Sequence, residues 1–375
     1  MDEAASLGGL EQSAPMRHSA KPPKPGEVLP TMMTGSAHTA ELLLLGYGQL
    51  NSALANSLLD EPLQQGAIAS RLRICAVSRS RRDLVTPAGS PVDLEHVAMD
   101  LRSPDFSRLP ERPLAIVYCL TPSEMSPKGY REAYVAPLRA ILAHYEAALA
   151  RSADDGPAPH VFFISSTGVY AQEDDVEVTE ESPTAPSRFS GQIMLEAEQR
   201  LQASTLPGTA VRFSGIYGPT RLGMLRGIVA AALGQAADAS SGGEQETPDR
   251  SPFTNRIHDA DCVRVLKFLL QRLIDGKPLD ALYLASDPSP TRRAEIVNRL
   301  GDHIRELPPQ QREQLASHFG DSLSKGGLPE GSGRAGSKRC MPERLRQAGF
   351  RFLYPDYMSG YSHIIEGLCG GPERS

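Results

Sequence analysis

The chain of 375 residues has no tryptophan, only 6 % aromatic residues and no surplus of positive charge. Lysine and arginine number 39 against 45 aspartates and glutamates, a formal net charge of −6. A nucleic-acid binder shows a basic face, and single strands are held on aromatic platforms; both are missing here, which argues against such a partner. No apolar run approaches eighteen residues, so no membrane-spanning helix is expected. The five cysteines (Cys75, Cys119, Cys262, Cys340, Cys369) are scattered, with neither C-x-x-C nor metal-finger spacing. An odd, dispersed set of that kind reads as reduced thiols and no metal site. H-E-x-x-H and G-x-S-x-G motifs are also absent. The first residues are acidic and Pro/Ser-rich rather than basic then apolar, unlike a secretory signal. What is left is a soluble, cytoplasmic, globular chain, whose 40 % hydrophobic residues suffice for a core of ordinary size.

Residues 1–39, with Lys21-Pro22-Pro23-Lys24-Pro25 and no period of 2 or 3.6, read as a disordered tail. Order starts at Glu41. Leu42–Leu45 is a continuous apolar run, which suggests a strand buried on both faces, as in a parallel sheet. Further strands are expected at 73–77, 96–99, 114–120, 160–164 and 209–213. Helices are expected at 49–59, 130–150 and 188–203. Strands alternating with helices predict a Rossmann-type doubly wound α/β sheet over residues 40–215. A smaller substrate-binding lobe follows over 216–370, with helices at 259–273, 291–300, 344–348 and 358–368 and a strand at 281–285. Its polar, Gly-rich stretches near 234–252 and 324–338 read as flexible insertions. Gly331–Lys338 lacks the residue order of a nucleotide-binding glycine loop and has no preceding strand. Tyr134, Leu138, Ile141, Leu142 and Tyr145 form a helical stripe that serves either the sheet or a homodimer.

The chemistry begins at Gly46-Tyr47-Gly48-Gln49-Leu50-Asn51, where a strand turns into a helix. Gly46 permits the tight turn, Gly48 leaves room for a diphosphate against the backbone, and the helix start attracts the anion. The third glycine position is Asn51, which predicts a displaced helix or a compensating small neighbour such as Ala53. The second strand ends in Val77-Ser78-Arg79-Ser80-Arg81-Arg82. No carboxylate is there to hold a ribose 2′-OH, whereas Arg79 and Arg81 suit a 2′-phosphate, so NADP is favoured over NAD. Asp100 suits either the adenine edge or an exposed turn.

Four further segments resemble, in order, the extended short-chain dehydrogenase/reductases, also called NAD-dependent epimerase/dehydratases, across Glu41–Ile365. They are Phe163–Tyr170, the Glu180/Glu181…Pro183…Pro186 stretch, Gly215–Arg221 and Arg256–Asp261. The ending Gly349–Asp356 looks like an atypical bacterial branch of NAD(P)-dependent oxidoreductases. The resemblance implies a dinucleotide touched by Gly46, Tyr47, Gly48, Gln49, Leu50, Arg79, Arg81, Asp100 and Leu120. It implies Ser166, with Thr167 beside it, as the group that polarises a substrate oxygen. The family's Tyr-x-x-x-Lys pair falls on Arg188 and Gln192, and neither can supply its proton. Tyr170 is then either a donor or a packing residue. Arg188, Tyr217, Arg221 and His258 are candidates for the substrate side, although His258 also suits the turn before a helix. The implied activity is oxidoreductase or epimerase chemistry on a small carbonyl or hydroxyl compound, sugar nucleotides included. The alternative is a non-catalytic NAD(P)-binding redox sensor or regulatory protein.

Overall fold

The computed structural model describes residues 39–64, 71–152, 156–235, 251–323 and 337–370. The tail expected over 1–39, Thr39 apart, and most of the insertions at 234–252 and 324–338 lie outside them. In chain order the first half runs β1 (Thr39–Leu45), α1 (Gln49–Asp60), β2 (Arg71–Ser78), β3 (Val92–Ala98), β4 (Ala115–Tyr118), α2 (Pro127–Tyr134), α3 (Ala136–Arg151), β5 (His160–Ser166), β6 (Val176–Val178), α4 (Phe189–Gln202) and β7 (Gly208–Phe213). It continues with β8 (Gly215–Tyr217), α5 (Gly223–Ala232), β9 (Phe253–Thr254), β10 (Arg256–His258), α6 (Asp259–Ile274), β11 (Leu282–Ala285), β12 (Thr291–Arg292), α7 (Arg293–Glu306), α8 (Pro309–Phe319), β13 (Lys338–Cys340), α9 (Glu343–Gln347) and α10 (Tyr357–Leu368).

Seven strands form one sheet in the order β11-β7-β5-β4-β1-β2-β3, every neighbouring pair parallel. The strand order reverses between β1 and β4, which is where open α/β sheets bind ligands. The apolar runs split by parity. Leu42 and Leu44 of β1 join a core with α1 and α6, while Leu43 and Leu45 join one with α3 and α4 on the other face. A strand covered on both faces has no polar side, hence the unbroken leucines. A third buried cluster unites α5, α7, α8 and α10 around Ile228, Leu300 and Tyr361. Two elements beyond residue 216 nevertheless belong to the sheet layer: β11 is its edge strand and α6 lies in the first core.

Several elements differ from the sequence reading. The helix expected over 130–150 is two, α2 and α3, because Pro137 in the first turn of α3 cannot donate to the preceding turn. Its stripe residues Leu138, Ile141, Leu142 and Tyr145 are buried in the second core, so they serve the sheet. The strand expected at 96–99 starts at Val92. The helix expected at 291–300 begins only at Arg293, after the short β12, and continues to Glu306. Helices α5 and α8 were not anticipated.

Candidate functional site

Gly46 follows β1 with φ +85°, and its N–H and that of Tyr47 both donate to the Val77 carbonyl, at 3.0 and 2.8 Å. A Cβ at Gly46 would lie 2.2 Å from the Cys119 carbonyl oxygen, so only glycine fits between the ends of β1 and β4. At Gly48 a Cβ would meet nothing within 4 Å, and no side chain caps α1. The turn therefore presents bare backbone and a helix start to open space. Asn51 does not push the helix away. Fully buried, it points its amide nitrogen at the carbonyls of Leu45, Gly46 and Val117, at 3.3, 3.2 and 3.4 Å, and so ties α1 to both strands. A lost close approach is replaced by hydrogen bonds.

Beside the turn lies a cavity of about 270 Å³. Its floor is Gly46–Gly48; one wall is Ser78, Arg79, Ser80 and Arg82, and another Met99–Arg102, with Cys119 and Leu120 behind. Arg79 and Arg82 line it, whereas Arg81 points away and pairs with Asp83 at 3.5 Å on the exposed surface. Asp100 is a wall residue gripped by Arg102, whose Nη2 approaches to 2.6 Å and whose Nε lies 3.1 Å from both carboxylate oxygens. Those bonds, with the Arg102 backbone N–H, hold the Asp100 carboxyl down at about 2. Leu50 packs into the first core instead of the cavity. Gln49 turns to the loop after β8. It donates to Thr220 Oγ1 and, at 3.4 Å, to Asp259, and it accepts from Arg221 Nε at 3.1 Å. Gln49 and Arg221, expected on the cofactor and substrate sides respectively, thus sit together.

Ser166 ends β5, half-buried, and its Oγ accepts the Gly168 N–H at 3.1 Å, capping a 3-10 turn over Thr167–Val169. Thr167 is buried. A Cβ at Gly191 would be 2.4 Å from the Gly168 carbonyl, so the first turn of α4 abuts this turn. Arg188 is exposed at the helix N-cap, and Gln192 is exposed with its amide 3.5 Å from the Ser187 carbonyl. Tyr170 is not with them. Its ring is buried under the Arg212 guanidinium at 4.7 Å, and its hydroxyl donates to the Thr179 carbonyl at 3.0 Å. Burial pushes that phenol up to about 12. Next to Ser166 in the chain, Ser165 donates to the carboxylate of Glu198 of α4, which pairs with Arg212 of β7 at 2.6 Å, the two side chains 1 % and 4 % exposed. The sequence signal was an arginine inside an apolar strand, which requires a partner when buried.

Tyr217 and His258 meet in the interior, with ring centres 5.2 Å apart, and neither lines the cavity. Tyr217 stacks on Tyr361 at 4.6 Å, and burial raises its phenol. His258 accepts the Ala260 N–H at 3.1 Å, supporting the start of α6. Burial, helped by His363, pushes its imidazole down to about 4. Among the described residues no His/Cys/Asp/Glu cluster could hold a metal ion, and no helix is long and apolar enough to cross a membrane.

A parallel sheet with its glycine turn and open cleft at the switch point defines a Rossmann-type protein with a dinucleotide cradle. No family model and no curated protein matches the chain. Solved structures do. A putative NAD-dependent epimerase/dehydratase from Methylobacillus flagellatus is 28 % identical with TM-score 0.57, over 88 % of this chain and 98 % of that one. A conserved protein of unknown function from Silicibacter pomeroyi is 21 % identical with TM-score 0.54, over 88 % and 98 %. A UDP-glucose 4-epimerase is 18 % identical with TM-score 0.58, over 90 % and 100 %. In fold the chain is similar to these NAD-dependent epimerase/dehydratases, the structures of the extended short-chain dehydrogenase/reductase type.

Proposed function

We propose that the chain binds a nicotinamide adenine dinucleotide, NADP in preference to NAD, and acts on a small carbonyl or hydroxyl compound. The observation that carries this is the Gly46–Gly48 cradle: a side chain is sterically excluded at Gly46, space is open above Gly48, and Arg79 and Arg82 line the adjoining wall. Those features fit a diphosphate on bare amides and a 2′-phosphate on guanidinium groups. Bound there, the coenzyme would supply hydride chemistry. Ser166, held at the end of β5, polarises the substrate oxygen. Arg188, at the start of α4, presents a permanent positive charge suited to an anionic substrate such as a sugar nucleotide, and Arg221, beside Gln49, offers another. The five cysteines are free, as in a reducing compartment such as the cytoplasm.

The test uses purified full-length protein with NADPH and a panel of carbonyl compounds and nucleotide sugars. Turnover is expected on at least one, and is lost in Ser166→Ala. Replacing Arg79 or Arg82 by alanine weakens NADPH by about tenfold. Coenzyme binding with no turnover across the panel would instead assign a non-catalytic dinucleotide sensor. Equal affinity for NADPH and NADH in the parent would overturn the NADP preference.

A further inference from the structure

The arginine-bearing segment after β2 has few ties to the sheet. Pairing of β2 with β3 ends at Ser78 opposite Ala98, and among the described residues 79–85 make no backbone-to-backbone hydrogen bond. The next attachment is the Thr86 hydroxyl, which accepts the Leu94 N–H at 3.1 Å. Between these points two side chains of the sheet reach the loop's backbone among the described residues, Ser78 at the end of β2 and His96 from β3. His96, half-buried on β3, lies 3.4 Å by its Nδ1 from the Arg82 backbone nitrogen and 2.9 Å by its Nε2 from Ser78 Oγ.

The direction of every bond in this chain follows from chemistry. A backbone N–H can only donate, so Nδ1 carries no proton and accepts from Arg82. In the neutral ring the proton is then on Nε2, which donates to Ser78 Oγ. That hydroxyl's own hydrogen goes to the Ser80 carbonyl at 3.1 Å. The neutral state is the one the surroundings favour: burial first, then Arg82 and Arg81, lower the imidazole's pKa. Tyr47, from the glycine turn, packs near the ring, with centroids 6.1 Å apart. The imidazole thus meets the loop directly at Arg82 and, through the Ser78 hydroxyl, at Ser80; both line the cavity together with Arg79.

We propose that His96 is a positioning residue that sets the Arg79–Arg82 loop for a 2′-phosphate and thereby the preference for NADP over NAD. The inference rests on the reading of the cavity as a dinucleotide site. His96 touches the loop and not the coenzyme, so its effect runs through Arg82. Its removal frees the loop, and the ordering cost falls on whichever ligand needs the loop in place. NADPH needs it; NADH, with no 2′-phosphate, does not.

The experiment measures Kd for NADPH and NADH by reduced-nicotinamide fluorescence in the parent, His96→Ala, Ser78→Ala, Arg82→Ala and His96→Ala/Arg82→Ala. Thermal unfolding of each variant reports folding. His96→Ala is expected to weaken NADPH by about fivefold while moving NADH less than about twofold. Ser78→Ala should shift NADPH in the same direction by less. In the double variant the two effects should not add, since one residue acts through the other. Equal weakening of both coenzymes, or additive effects in the double variant, would overturn the positioning role while leaving the dinucleotide site intact. A folded parent that binds neither coenzyme would remove the site and this role together.

Discussion

The first βα turn and the start of α4 make an instructive pair. At the turn, each feature needed to hold a dinucleotide is present: a glycine where a Cβ would strike the Cys119 carbonyl, open space above Gly48, and arginines on the cavity wall. At α4, the helix abuts the serine turn through Gly191, yet the positions where the family resemblance implies a Tyr-x-x-x-Lys pair carry Arg188 and Gln192. Backbone amides and guanidinium groups bind anions without titrating, whereas proton transfer requires a group that titrates. The two tasks are therefore separable: the turn has the equipment of the first, while Arg188 and Gln192 bring no titrating group to the second.

Four perturbations put that contrast to the test. The largest concerns the scaffold under the serine. Glu198→Ala leaves Arg212 buried without its counter-charge and should cost about 3–5 kcal/mol in urea unfolding. Arg188→Ala, at an exposed position a few residues away, should move stability by less than about 0.5 kcal/mol. Comparable losses would mean that the interior pair is not what supports the Ser166 turn. Next, Gly46→Ala combines φ +85° with the 2.2 Å clash and should weaken coenzyme binding by at least about 100-fold. An alanine variant that binds normally would show that the turn is not the cradle.

Third, Ser166→Ala should reduce turnover of any substrate found by about 100-fold, with coenzyme affinity little changed. Retained turnover would move the chemistry elsewhere. The smallest effect is electrostatic. The His258 imidazole titrates near 4 in the folded chain against 6.5 when free, so the folded state binds fewer protons in that window. Stability is then lost as pH falls from 6.5 toward 4. His258→Asn keeps an acceptor for the Ala260 N–H but removes the titration. Between those pH values its melting temperature should fall by about 2–4 °C less than the parent's. Parallel curves would show that His258 is solvated on the acid side.

The sheet was legible because parity and burial leave a local mark: Leu42–Leu45 reads as a two-faced strand, and its junction with Gly46 as a turn. The strand before Ser166 and the helix after residue 188 were legible too, and Gly191 of that helix lies against the Gly168 carbonyl. What escaped was set by contacts between distant residues. Arg82 rather than Arg81 lines the cavity, and its backbone meets His96 of another strand, a contact between distant residues. Tyr170 carries the residue type of an acid, yet its hydroxyl is spent on Thr179 beneath Arg212, a placement that no spacing reveals. Asn51 looked like a misfit for a missing glycine, and only the convergence of the β1 and β4 carbonyls shows it as a tie. The break between α2 and α3 was written locally in Pro137, where the apolar stripe hid it. Strands of two or three residues, such as β9 and β12, are too short for any period to register.

The most direct measurement is a calorimetric titration of the folded full-length protein with NADPH, NADP, NADH and NAD in turn. Saturable heat is predicted, tighter for the 2′-phosphorylated pair than for the other two. No heat with any of the four would contradict the cradle at Gly46, and with it the assignment of this chain as a dinucleotide-binding protein.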